Sequence, residues 1–258
     1  MKKISDVRKQ EFLDYYNKGL NDYEIARAMN ISDSTTYRWR SSMGLPPLYT
    51  RQLSRSKPKE ISNEQYEILC GTLLGDSTLE YYPNSGQRSP RLKCEHGAKQ
   101  KDYAEYLCQK LSSLGVSLKE NDRIDKRSNR QYNSYTIRSL ANPNFLHLHN
   151  NLYKNGKKII SKEFLTYFTI RSLAYLYMDD GYYDQGTAYI CTDCFSDEDL
   201  AIISEFLKEK FNLHFSIVCH NKNHGKRLRL LHKDFNKFCE LVRPYILKSL
   251  QYKLRTVS

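Results

Sequence analysis

Apolar residues recur at helical spacing in three short stretches near the start of the chain. They predict helices at Asp6–Lys18, Asp22–Met29 and Asp33–Met43, with Gly19-Leu20-Asn21 and Asn30-Ile31-Ser32 as turns. Ile25, Ala26 and Met29 form an apolar stripe on the second helix, which Asn21-Asp22 can cap, and Ser32 or Asp33 can cap the third. That is a helix-turn-helix layout. The third helix carries Ser34, Thr35, Thr36, Arg38 and Arg40, short polar and basic side chains suited to base edges and phosphates in a major groove, while Trp39 suits the core.

From residue 61 the pattern changes to one said twice: helix, two strands, helix, two strands, helix. The first copy predicts a helix at Asn63–Leu74, strands near Thr78–Tyr82 and Pro90–Glu95, and a helix at Lys99–Ser113. Strands at Val116–Ile124 and Gln131–Ser139 and a helix at Asn142–Tyr153 complete it. The second copy has a helix at Phe164–Asp179, extended segments at Tyr182-Tyr183 and Thr187–Thr192, and a helix at Asp197–Phe211. Strands at His214–Cys219 and Arg227–Leu231 and a helix at Lys233–Arg243 follow. Fold class is therefore α+β: a duplicated αββαββα unit preceded by a small all-α domain. The expected boundaries are 1–45 for the helix-turn-helix domain, 46–60 for a linker, 61–157 for the first repeat and 158–258 for the second.

Charge adds a partner to this outline. The chain has 41 Lys and Arg against 29 Asp and Glu, a net charge of +12, and neutralising phosphates with such side chains releases condensed counterions. Nucleic acid is the expected partner. The linker, with Leu45-Pro46-Pro47 followed by Arg51, Arg55, Lys57 and Lys59, is a basic strip suited to a phosphate backbone. No apolar run approaches the roughly 18 residues that span a bilayer, and no signal peptide opens the chain, so a soluble intracellular protein, cytoplasmic or organellar and not secreted, is expected. Seven scattered cysteines suit reduced thiols rather than a disulfide framework. Cys191-Thr-Asp-Cys194 has half of a zinc spacing, but no second CxxC exists and Cys219, His220 and His224 are loose companions, so structural zinc is not expected.

Each repeat opens on an apolar helix ending in an acid: Leu69-Cys-Gly-Thr-Leu-Leu-Gly-Asp76-Ser and Leu173-Ala-Tyr-Leu-Tyr-Met-Asp-Asp180-Gly. A carboxylate there meets the negative end of the helix dipole, which is costly unless a cation or another partner compensates it. Gly71 and Gly75, four apart, let a second helix approach closely. If the two helices pack together, both acids meet at one end of the interface. Carboxylates with freed main-chain carbonyls make an oxygen-rich site that suits Mg²⁺, or Mn²⁺, rather than zinc.

At these residues the sequence resembles the LAGLIDADG homing endonucleases in their single-chain, two-motif form, over roughly residues 61–255. The resemblance implies that the motif helices form the interface of the two halves, that each four-stranded sheet forms a saddle on double-stranded DNA, and that the chain is a monomer with internal pseudo-twofold symmetry. It implies a site-specific, metal-dependent endonuclease of intron homing that leaves short 3′ overhangs. Asp76 and Asp180 take the positions of the metal-binding acids, with Gly75 and Asp179 beside them, and Lys158 and Lys253 take the positions of a lysine near each centre. Ser77, Tyr175 and Met178 depart from the strict motif, which bears on helix packing. DNA contacts are expected from Arg91 and Lys93; from Arg123, Lys126, Arg130, Tyr132, Tyr135 and Arg138; and from Lys222, Lys226, Arg227 and Arg229.

A reading with the same fold and no DNA cutting, an RNA maturase or a non-cleaving regulator, stands as the alternative. Retention of both acids argues against it, because like charges packed together raise the cost of folding.

Overall fold

In the computed structural model, residues 5–46, 48, 58–83, 89–125, 130–219 and 225–254 are described, with residues 123, 125 and 130 described in backbone only. The chain divides into two compact units, residues 1–57 and 58–258.

The first unit holds α1 (Asp6–Asn17), α2 (Asp22–Ala28) and α3 (Asp33–Ser42). Phe12, Ile25 and Met29 form its core, ringed by Tyr15, Tyr16, Leu20, Ile31, Trp39, Met43 and Leu45. Trp39 packs edge-on to Phe12, with ring centroids 6.3 Å apart. Asn21 caps α2 through a reciprocal box: its side chain accepts from the backbone of Glu24 while the Glu24 carboxylate accepts from the backbone of Asn21.

The second unit repeats one plan. Its first half runs α4 (Asn63–Leu74), β1 (Ser77–Glu80), β2 (Arg91–Gly97), α5 (Lys101–Lys110), β3 (Ser117–Asp125), β4 (Arg130–Arg138) and α6 (Phe145–Leu152). A hairpin of β5 (Tyr153–Lys154) and β6 (Lys157–Lys158) and a short helix α7 (Lys162–Leu165) lead to the second half. That half runs α8 (Ile170–Asp180), β7 (Gly181–Asp184), β8 (Thr187–Cys191), α9 (Asp197–Phe211), β9 (Phe215–Cys219), β10 (Lys226–Leu230) and α10 (Phe235–Val242). Both sheets are antiparallel and share one order, β1-β2-β4-β3 and β7-β8-β10-β9. Alternation gives each sheet an apolar face on one continuous core, in which Leu92, Cys94 and Ile137 from the first sheet join Ala188, Ile190 and Leu228 from the second. Among the described residues no helix is long and apolar enough to cross a membrane.

Two local features differ from the sequence pattern. The helix predicted over Phe164–Asp179 is broken between α7 and α8, because Thr169 caps α8 in a box with Ser172 and so starts a new helix. The helix predicted to reach Tyr153 stops at Leu152, and a tight hairpin follows. Asn155 and Gly156 sit at φ +52° and +75°, the left-handed pair that a two-residue hairpin turn needs and that Asn-Gly supplies at low cost.

Candidate active site and nucleic-acid face

The two motif helices, α4 and α8, pack against each other, and the contact is built from unequal partners. A side chain on Gly71 would put its Cβ 2.2 Å from the Ser172 carbonyl oxygen and 2.7 Å from the Cβ of Tyr175; one on Gly75 would lie 2.6 Å from the Cβ of Asp179. Each glycine on α4 thus faces a larger residue on α8. Tyr175, which departs from the small residue of the strict motif, sends its ring away from the crossing to stack on Tyr106, hydroxyl to hydroxyl at 3.3 Å. Met178, replacing an acid, is fully buried. Ser77, replacing a glycine, is buried against the Thr72 hydroxyl at 2.5 Å.

Three carboxylates gather where these helices end. Asp76 follows α4 and is the most exposed, with 36% of its side-chain surface open. Asp179 is buried: its Oδ1 accepts from the Tyr103 hydroxyl at 2.7 Å, and its Oδ2 accepts from the backbone N–H of Asp76 at 3.2 Å. Burial first, and the Asp76 charge second, hold the Asp179 carboxyl well above the ordinary carboxylate range. Asp180, half-buried at the last position of α8, is pushed up to about 6 by the same two causes in the same order, against the opposing pull of Lys158 and Lys253.

Both lysines act on the helix ends. Lys158 Nζ donates to the carbonyls of Gly75 (3.1 Å) and Ser77 (2.8 Å), and Lys253 Nζ donates to those of Met178 (2.5 Å) and Asp179 (3.3 Å). Each ammonium therefore stands at the negative end of a motif helix, the compensation its terminal acid requires. A tyrosine hydroxyl fastens each lysine segment. Tyr153, paired with Lys158 across the hairpin, meets Thr78 Oγ1 at 2.9 Å and the N–H of Leu79 at 3.1 Å, while Tyr177 donates to the Lys253 carbonyl at 2.6 Å. Burial lowers both ammonium groups from the ordinary lysine value, and the nearby carboxylates oppose it.

One further residue at this place escaped the sequence reading. His96, on the inward face of β2, has no exposed side-chain surface; its Nε2 lies 3.1 Å from Cys94 Sγ and its Nδ1 3.5 Å from Asp76 Oδ2. Its ring lies against that of Tyr103, centroids 4.9 Å apart. Among the described residues, Asp76, His96 and Asp179 form the one group of three or more His, Cys, Asp or Glu side chains placed to hold a metal ion, with one ligand atom from each within 4.8 Å of the others. Inward alternation beside the buried Cys94 was the available signal for His96. Cys191, Cys194 and Cys219 build no such group among the described residues.

The model of the LAGLIDADG DNA endonuclease family matches residues 66–238 of this chain. The chain belongs to that family. A homeodomain-like domain model matches residues 3–49, which spans the three N-terminal helices. The chain is similar to the "Probable intron-encoded endonuclease 1" of Wickerhamomyces canadensis, at 31% identity over 75% of this chain and 85% of that protein. It is also similar to the solved structure of the homing endonuclease I-WcaI bound to its DNA recognition sequence. There the identity is 28% and the TM-score 0.71, over 84% of this chain and 97% of the other. Protein RecA of Mycolicibacterium flavescens is 28% identical over 77% of this chain, which spans about half (48%) of that relative's length.

In a LAGLIDADG protein the outer faces of the sheets are the candidate DNA surface, and here the two differ. On the first, Glu80 holds three expected contacts at once: Arg91 at 2.8 Å, Arg138 at 3.5 Å and Lys93 at 3.8 Å. Tyr132 lies on the same strand face and is 47% exposed. On the second, Arg227 donates to the Tyr182 hydroxyl at 2.6 Å, Tyr182 stacks on Tyr189, and Arg229 meets His232 Nε2 at 3.1 Å. Lys226, at the start of β10 and on the parity of the buried Leu228 and Leu230, is off this face and pairs with Asp197.

Three further expected DNA contacts are corrected. Tyr135 points inward, 7% exposed, because Ile137 two residues on is wholly buried and side chains two apart share a face; its hydroxyl donates to Glu120. Thr36 and Arg40, four apart on α3, lie on its core stripe instead of its outer face. The Thr36 hydroxyl is bound by the carbonyls of Asp22 and Asp33, and the Arg40 guanidinium by the Asp22 carboxylate at 2.9 Å and the Leu45 carbonyl. Thr35 is partly exposed and Arg38 exposed, joined by Tyr37, which the sequence reading passed over and which is 58% exposed. Arg123 and Arg130 sit on the backbones of β3 and β4, while Arg51, Arg55, Lys126 and Lys222 lie outside the described residues.

Proposed function

We propose that this protein is a site-specific double-strand DNA endonuclease, a monomer whose two halves each serve one strand, with divalent metal held at Asp76 and Asp180 and by Asp179 between them. The observation that carries this reading is the pair of acids on two packed helix ends, each end met by a half-buried lysine. Like charges held together cost folding stability, and a cation is what makes such a placement useful. The oxygen donors fit a hard cation such as Mg²⁺ or Mn²⁺. When bound, the metal supplies an activated water and neutralises charge developing on the phosphate.

The chain's own residues hold the rest of the site in place. An ammonium has three N–H donors; two on each lysine go to main-chain carbonyls, which leaves one for a phosphate oxygen. The lysines thereby fix the helix ends and present positive charge to the phosphodiester. Tyr103 locks Asp179, which in turn accepts the backbone N–H of Asp76 and sets that residue's direction. The sheet faces and α3 would then bring basic and polar side chains to the duplex, mostly at phosphates.

The test is a cleavage selection from a randomised or genomic duplex library with the full chain and Mg²⁺, Mn²⁺ or Ca²⁺. Both strands of a long specific site are cut with short 3′ overhangs in Mg²⁺ or Mn²⁺. A protein that binds RNA and cuts no duplex, or an Asp180→Asn variant that cuts at the normal rate, would overturn the reading.

A further inference from the structure

The two halves offer different atoms to their acids. In the first sheet Ser77 pairs with Cys94 and His96 follows two residues later on the same face; in the second, Gly181 pairs with Ile190 and the matching residue is Thr192. Thr192 is committed elsewhere, its hydroxyl donating to the Lys226 carbonyl at 2.7 Å. His96 is not. Its Nδ1 is buried without a hydrogen-bond partner, and although the Gln100 side chain lies near the ring, no hydrogen bond reaches that nitrogen.

An orphaned buried nitrogen is costly, and here it faces a carboxylate oxygen 3.5 Å away, beyond hydrogen-bond distance. A neutral imidazole has one donor and one acceptor nitrogen. In the tautomer whose Nε2–H donates to Cys94 Sγ, Nδ1 is the acceptor, and a cation between it and the Asp76 oxygen satisfies both. Metal bonds of about 2.1 Å put adjacent ligand atoms about 3.0 Å apart and opposite ones about 4.2 Å apart. Three atoms within 4.8 Å of one another, with His96 Nδ1 and Asp76 Oδ2 already at 3.5 Å, reach that arrangement by side-chain shifts of at most about 2 Å.

We propose that His96 Nδ1 is a ligand of the metal at Asp76, together with an Asp179 oxygen, so that the first-motif centre is a mixed nitrogen and oxygen site selective for Mn²⁺, Co²⁺ or Zn²⁺ over Mg²⁺. The proposal rests on Asp76 being a metal ligand. Borderline cations gain from imidazole where Mg²⁺ does not, and the second centre, with Thr192 in place of histidine, lacks that preference. The site is formed by protein atoms alone and does not need DNA.

Pulsed electron paramagnetic resonance on the full chain with Mn²⁺ reads the ligand directly. Wild type shows coupling to one imidazole nitrogen, which changes to the ¹⁵N pattern when histidine is ¹⁵N-labelled, so no variant is required. His96→Gln loses the coupling and binds Mn²⁺ about tenfold more weakly, with Mg²⁺ affinity unchanged. Mn²⁺ bound with no nitrogen coupling, or no Mn²⁺ bound without DNA, overturns the proposal while leaving Asp76 and Asp180 untouched. If Asp76→Asn binds Mn²⁺ as wild type does, the metal reading of Asp76 falls as well.

Discussion

The side chain of Asp179 occupies the space that Gly75 leaves open, its Cβ and Oδ2 each 2.6 Å from where a Gly75 Cβ would stand. The acid is thereby held against the backbone N–H of Asp76, so that packing and chemistry share one contact. Gly75→Ala must push the buried carboxylate or the helix aside, and overpacking of that kind costs about 1–3 kcal/mol. Thermal melting of the metal-free chain reads the loss, and an unchanged midpoint would refute the close approach. Gly71→Ala should cost as much, since a Cβ there meets backbone at the Ser172 carbonyl, which cannot swing away.

Asp180 makes the site unstable in a pH-dependent way. Its pKa of about 6 in the folded chain exceeds the ordinary 3.8, so the folded state binds the proton more tightly than the unfolded one. The stability this gives is present at low pH and is lost as pH rises from about 4 to about 6. In metal-free protein Asp180→Asn should therefore raise stability at pH 8, by about 1–3 kcal/mol at 1.36 kcal/mol per pH unit, with the difference vanishing near pH 4. The same variant should not cleave. Urea titrations at the two pH values check the first half and a plasmid assay the second.

Much of this was legible in the chain. The repeat, the two acid-ended helices and the need for a compensating partner at each end follow from pattern and dipole, and the ammonium groups of Lys158 and Lys253, positions the resemblance pointed to, stand there. What stayed hidden depended on contacts between distant segments. No local rule says that Asp179 will be buried beneath Tyr103, 76 residues away, or that His96 will face Asp76. Two features were present and passed over. Asn155-Gly156 marks the hairpin that delivers Lys158, and the four-residue spacing of Thr36 and Arg40 puts both on the core side of α3.

Each lysine stands at one helix end, so their loss should be unequal on the two strands. Lys158→Met and Lys253→Met each remove one donor set aimed at charge on the phosphate, a change that costs about 10²-fold in rate where such donors have been removed. Nicked circles should accumulate from a supercoiled plasmid carrying the target, with opposite strands favoured in the two variants. Equal slowing of both strands by either variant would argue that the lysines only brace the helices.

On α3 two arginines two residues apart should behave in opposite ways. Arg40 is buried and bound to Asp22 and Leu45, so Arg40→Ala leaves the Asp22 carboxylate without its partner and strips packing from a core of three apolar side chains. It should melt residues 1–57, seen as lost helix signal, and weaken DNA binding for that reason. Arg38 is exposed and hydrogen-bonds to the Ser34 carbonyl and the Thr35 hydroxyl on its own helix. Arg38→Ala should leave the helices intact and weaken binding through the phosphate term alone, lowering the slope of log K against log salt by about 0.9. Deleting residues 1–57 should shorten the protected footprint and spare cutting at high protein concentration. A variant of Arg38 with an unchanged salt slope would remove α3 from the DNA surface.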